Sequence, residues 1–238
     1  MIKLPFLLAT LALPACSFAS ADDTGVPAAG SGDRRTFAVR DFSEVALAAV
    51  GDVEVRTGGD FSVTATGSSA ALDQLRVTKD GDMLKLDRRR GVDWPRGEKV
   101  RFMVTMPRIT GANIGGAGSI TVDRVAGEAF QGNIGGSGRL DIRGLQVTTA
   151  SFAIGGSGDV TASGRARALE VSIGGSGDVQ VQPLVSETAE VTIAGAGRVN
   201  ATATRTADVT VMGSGDVTIA GGAKCSITKM GGGNVRCG

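Results

Sequence analysis

The 238-residue sequence has no histidine, no tyrosine, one tryptophan, six prolines and three cysteines. Without histidine, any acid–base chemistry falls to carboxylates. With so few aromatic rings, the chain lacks the stacking platforms that sugar-cleaving sites use. Scarce proline, and glycines that do not recur every third residue, exclude a collagen helix. An excess of one charge is also missing. Of 25 basic residues only Lys3 falls in the first 21, where there is no acid, so the remainder carries 24 basic and 24 acidic residues. A neutral chain gives no electrostatic footprint for nucleic acid or anionic lipid.

Long apolar runs are missing too. The run from Phe6 to Leu13 is far shorter than the roughly 20 residues a membrane helix needs. It follows Met1-Ile2-Lys3 and precedes Ala19-Ser20-Ala21, an A-x-A cleavage site, so residues 1–21 read as an export signal. Leu13-Pro14-Ala15-Cys16 also resembles a lipobox. The alternatives are cleavage after Ala21, lipidation at Cys16, or an uncleaved apolar arm. If Cys16 leaves with the signal, Cys225 and Cys237 remain, and an even count in an exported chain predicts one disulfide.

What the sequence has in excess is glycine, 37 residues. The last glycines of successive G-x-G turns are Gly118, Gly138, Gly158, Gly177, Gly197, Gly215 and Gly233, spaced by 20, 20, 19, 20, 18 and 18. Columns align on them. Four residues earlier stand Ile114, Ile134, Ile154, Ile173, Ile193 and Val211. Two residues later stand Ile120, Leu140, Val160, Val179, Val199, Val217 and Val235. Thr, Ser, Asp, Gln and Asn fill most positions between. This is strand, glycine corner, strand, with one apolar face in every copy. Such a unit cannot bury its face alone, but stacked units can. The repeat is too short for a propeller blade, so the expected fold is all-β, a parallel β-solenoid of 18–20-residue coils. Glycine is expected at the corners to supply positive φ and to let adjacent corners sit close. Eight residues before the glycine, from Gly138 on, stand Phe130, Ala150, Leu169, Ala189 and Ala207, and this column places Cys225 inward. Cys237 falls in an inner column on another side of the same coil.

The turn "GGSGD" invites three chemical readings. Calcium-binding β-rolls repeat G-G-x-G-x-D, but here Arg139 and Arg198 occupy the column of Asp159 and Asp178, which a carboxylate cage does not tolerate. Phosphate loops open a helix, and no helical pattern follows these corners. No cofactor is therefore expected. Asp159 and Asp178 stand on adjacent rungs about 4.8 Å apart, and paired carboxylates can cleave polysaccharides. The competing reading is an external ladder of Arg139, Asp159, Asp178, Arg198 and Asp216.

Before the repeats, 22–35 reads as flexible linker. Residues 36–107 alternate as strands in irregular coils, and "VGDVEV" at 50–55 resembles a worn corner. Ser68 to Leu75 reads as one short helix capped by Ser68 or Ser69. The stretch 86–101 gathers Arg88, Arg89, Arg90 and Trp94. Either these contact an acidic glycan or lipid head group, or they form a solvated loop with Trp94 folded onto the coil.

Several segments together carry a resemblance: "FSEVALAAVGDVEVRTG" at 42–58, "MLKL" at 83–86, "VTMPRITGANIGGAGSI" at 104–120, the serial "GGSGDV" turns, and "GGAKCSITKMGGGNVRCG" at 221–238. In their order and spacing they resemble the head GIN domain family of auto-transporter adhesins. The resemblance implies a right-handed parallel β-helix over 36–238 and an exported, non-catalytic envelope protein of the periplasm or outer surface. The expected partners are a surface glycan or an envelope protein, with no nucleic acid. Membrane contact is expected only through a lipid at Cys16, and a homo-oligomer pairing through an uncapped coil end is a further alternative. The competing function is a polysaccharide-active enzyme using Asp159 and Asp178.

Overall fold

The structure, a computed structural model, describes residues 25–49, 51–89, 91, 94 and 97–238. The export signal with Cys16, and Arg90 of the basic stretch, lie outside these residues. The described chain is mostly strand and winds into a β-solenoid of about six turns.

Parallel register builds it. In the strand Arg139–Ile154, residues 139–142 pair with 159–162, 145–147 with 164–166, and 149–154 with 168–173. The three runs make three sides of a coil, with bends between them and the glycine corner at 155–158. The next strands, Asp159–Ile173, Asp178–Gly195 and Arg198–Gly213, repeat the pattern rung by rung. Alternation then decides the core. Leu140, Ile142, Leu145, Ala150, Phe152 and Ile154 of one coil are all buried, as are Val160, Ala162, Leu169, Val171 and Ile173 of the next. Phe130 and Phe152 stack on adjacent rungs with ring centroids 6.4 Å apart.

The corner glycines serve both expected purposes, at different positions: Gly213 and Gly231, which open two of the turns, have φ of 138° and 136°. None of Gly118, Gly138, Gly158, Gly177, Gly197, Gly215 and Gly233 has positive φ. Their requirement is close approach. A Cβ at Gly158 would lie 2.5 Å from the Gly138 carbonyl oxygen and 2.5 Å from Ile134 Cγ2. The coils stack at strand spacing, and the inner isoleucine of the coil below fills the remaining space.

The N-terminal part mixes pairing directions. Gly51–Thr57 is a true rung, with Asp52, Val53 and Val55 in register with Ser119, Ile120 and Val122. Glu44–Leu47 joins the stack beside Gly111–Ile114. Antiparallel strands extend it: Arg34–Phe37 on Ser62–Thr66, that strand on Val100–Met106, and Leu75–Asp80 on Met83–Arg88. The helix is Ser69–Leu72, and the Ser68 side chain accepts the Ala71 N–H at 3.3 Å. Leu72, Leu75 and Phe37 are buried there, closing this pole.

The stretch read as linker is structured from its described start. Val26 N–H donates to Val77 O at 2.7 Å, and Ala28–Ala29 pairs antiparallel with 36–37. Arg35 anchors it, buried to 9% exposure, with Nη2 2.6 Å from Asp73 Oδ1. Its small polar residues carried the signature of a linker, while the partners that order it come from 63–77.

At the opposite pole the last coil is cross-linked. Cys225 and Cys237 form a disulfide with Cα atoms 6.5 Å apart. They continue the columns of Ala207 and Ile219.

Candidate binding face

The short run after each glycine corner presents its odd positions outward. The first column stacks Asp52, Ser119, Arg139, Asp159, Asp178, Arg198 and Asp216. The second, two residues further on, stacks Glu54, Thr121, Asp141, Thr161, Gln180, Asn200 and Thr218. Because Gly51–Thr57 pairs onward with Val100–Met106, and that strand with Ser62–Thr66 and Arg34–Phe37, the face runs nearly the whole length of the molecule.

The polar groups tie to one another along the rungs. Arg139 Nη2 meets Asp159 Oδ2 at 2.9 Å, and Arg198 Nη1 meets Asp178 Oδ2 at 3.3 Å. Thr161 Oγ1 donates to Asp141 Oδ1 at 2.8 Å, and Asn200 Nδ2 donates to Gln180 Oε1 at 2.8 Å. Asp216 instead accepts the Asn234 N–H at 3.0 Å. These bonds hold the side chains in fixed positions, while the half-exposed carboxylates and amides keep open acceptor positions toward solvent. Between the columns lies a shallow, open depression lined by Arg139, Asp141, Asp159, Thr161, Asp178 and Gln180.

Asp159 and Asp178 are thus side by side, as their column requires. Their surroundings are alike: one arginine each, with 41% and 37% side-chain exposure. Dividing two carboxylates into acid and base requires environments that differ. Asp141 and Gln180, which line the same depression, and Asn200, which continues their column, were not singled out in the sequence. The signal was present: they stand three residues after each corner glycine, in a polar column as regular as the apolar ones.

The basic stretch is placed elsewhere. Trp94 packs against the hydrophobic core, and its Nε1 donates to Glu98 O at 2.9 Å. Its ring is therefore turned to the coil. Arg88 and Arg89 are exposed at the end of Met83–Arg88, where Arg89 N–H donates to Gln74 O at 2.8 Å. They share no depression with Asp159 or Asp178.

A family model described as "Putative auto-transporter adhesin, head GIN domain" matches residues 41–223. The chain belongs to this family. Solved structures share its fold at low identity. A "putative adhesin" from Bacteroides fragilis is 20% identical, with a TM-score of 0.81 over 86% of this chain and 95% of that one. A "putative lipid binding protein" from Parabacteroides distasonis is 19% identical, with a TM-score of 0.68 over 89% and 98%. A "putative adhesin" from Parabacteroides merdae is 16% identical, with a TM-score of 0.64 over 86% and 95%. No curated protein matches the chain. Membership in this family agrees with an exported or surface protein that is not an enzyme.

Proposed function

We propose that this protein is a non-catalytic binding module of the bacterial cell envelope, exported to the periplasm or outer surface, and that its polar sheet face holds the ligand. The observation that carries the reading is the continuity of that face. Two columns of hydrogen-bonding side chains repeat at strand spacing along the stack, fixed by their own ion pairs and amide bonds. A rigid, preformed surface of this kind suits an extended partner with many hydroxyls, such as a surface glycan, because little ordering entropy is lost on contact. Asp159 and Asp178 act in it as acceptors.

The test is an oligosaccharide array probed with the exported chain, followed by the triple variant Asp141→Ala, Gln180→Ala, Asn200→Ala. Capture of a polysaccharide that the variant loses supports the reading. No capture above background, or capture that the variant retains, sinks it. Release of reducing ends from a bound polysaccharide, abolished by Asp159→Asn, would favour the enzyme reading instead.

A further inference from the structure

The two poles of the solenoid differ in what covers them. The N-terminal pole is roofed by the helix Ser69–Leu72 and antiparallel strands, and its apolar residues are buried. At the C-terminal pole, Lys224–Met230 and Val235–Cys237 each pair on one side only among the described residues. Ile227 continues the column of Val209, which is 1% exposed, yet is itself 48% exposed because no described coil lies above it. Met230 is 60% exposed, and Met212, its partner on the rung below, is 41% exposed.

Charge sorts the same way. Beyond Asp216 the sequence contains Lys224, Lys229 and Arg236 and no Asp or Glu. Lys229 stands in the inner column of Val211, and its Nζ reaches across the open end to Gly233 O at 3.0 Å. Among the described residues, neither Lys224 nor Arg236 has a carboxylate within ion-pair distance. The neutral whole-chain charge conceals this, because the balancing acids lie in the coils below.

We propose that this pole docks on the surface of an anionic phospholipid bilayer, with Ile227 and Met230 entering the headgroup boundary and Lys224, Lys229 and Arg236 meeting the phosphates. Protruding apolar side chains ringed by cations have the composition of an interfacial membrane contact. A second copy fits the pole less well. The longest paired sides of a coil, about six and four residues at roughly 3.3 Å each, give an end of about 20 by 13 Å. Two ends together would bury roughly 500 Å², about half of what a specific interface needs. They would also bring the three cations of each copy face to face. Arg236 stacks on Thr218 at the end of the polar sheet face, but Ile227, Met230, Lys224 and Lys229 lie on the strand that pairs with 206–212, outside that face, so failure of glycan capture leaves this contact standing.

The test uses the exported chain carrying Cys16→Ser, so that no lipid attached there contributes. It is co-sedimented with phosphatidylcholine vesicles, and with vesicles of roughly one-third phosphatidylglycerol, in about 0.1 M salt. The expected result is about fivefold more bound protein on the anionic vesicles. The pair Lys224→Glu and Arg236→Glu should remove that excess. The pair Arg165→Glu and Arg167→Glu makes the same charge change on a side of the coil and should preserve it. Ile227→Asp with Met230→Asp should also lower binding, and urea midpoints confirm that each variant folds. Three results overturn the proposal: equal binding to both vesicles, equal loss in both charge-reversed pairs, or a stable dimer at micromolar concentration that Ile227→Asp dissolves.

Discussion

Replacing Gly158 by alanine is expected to destabilise the solenoid, while the same change at Gly155, in the same turn, is not. At Gly158 the new methyl would meet the Gly138 carbonyl oxygen and Ile134 Cγ2, each at 2.5 Å. Neither can step aside freely. The Ile134 side chain is fully packed, and the carbonyl accepts the Asp159 N–H at 3.0 Å. Forcing a methyl into a packed interior costs about 1–3 kcal/mol, and weakening the carbonyl's bond adds about 1 kcal/mol. Alanine also restricts the unfolded chain, which offsets about 0.4–1 kcal/mol. The net loss is about 2–3 kcal/mol, or a urea midpoint lower by about 1 M at a slope near 2 kcal/mol/M. At Gly155 nothing lies within 4 Å of the added carbon and φ is not positive. Only the unfolded-chain term remains, a gain of up to about 1 kcal/mol. Equilibrium urea titration of the two variants and the parent decides the matter. Equal midpoints for both variants would refute close coil approach as the reason for the glycine period.

Other substitutions probe the faces. Ile173→Asp buries a carboxylate in an inner column that is 1% exposed and should cost about 3 kcal/mol or more. Asp178→Asn breaks one half-exposed ion pair and should cost under about 1 kcal/mol; similar losses for the two would mean that the columns face the wrong way. Cys225 and Cys237 should show as a mass shift on reduction and alkylation. Replacing both by serine should lower stability by about 3 kcal/mol through chain entropy, and two free thiols in the exported protein would contradict the pairing. The Asp80 carboxyl is held below the ordinary carboxylate range by the hydrogen bond and charge of Lys85, whose Nζ lies 2.6 Å away. Its folded value is the lower one, so its contribution to stability is present above the ordinary range and fades as pH falls through the folded value. Lys85→Met should move the Asp80 midpoint upward in a carboxyl NMR titration, and an unmoved midpoint would exclude Lys85 as the cause. Calcium added against a chelator should leave Tm unchanged, since Arg139 and Arg198 engage the carboxylates of the aspartate column; a rise of several degrees would reveal a cage.

The regular coils were legible in the sequence because alternation and period are local properties. A strand on a core must alternate, and stacked strands must repeat their alternation at a fixed interval. Ile154, Ile173 and Ile193 therefore announce their burial, and Cys225 and Cys237 their shared coil, without any neighbour being known. Even Gly51 could be recognised as a corner from the residues beside it. Tertiary structure decided what depends on contacts distant in sequence. Positive φ falls at Gly213 and Gly231, while at the last glycine of each corner only the coil below shows that the demand is for space. Residues 25–35 looked like linker, because composition does not reveal that Val77 and Asp73 lie beside them. For Trp94 the sequence left a ligand contact and a fold onto the coil both open, and the tertiary structure sets the ring on the core. Arg198 could have paired with Asp178 or Asp216 on its two neighbouring rungs, and side-chain geometry fixed the choice on Asp178. The open C-terminal pole is the clearest case. Ile227 obeys the same periodic rule as Val209, yet it is exposed because its strand pairs on one side only among the described residues.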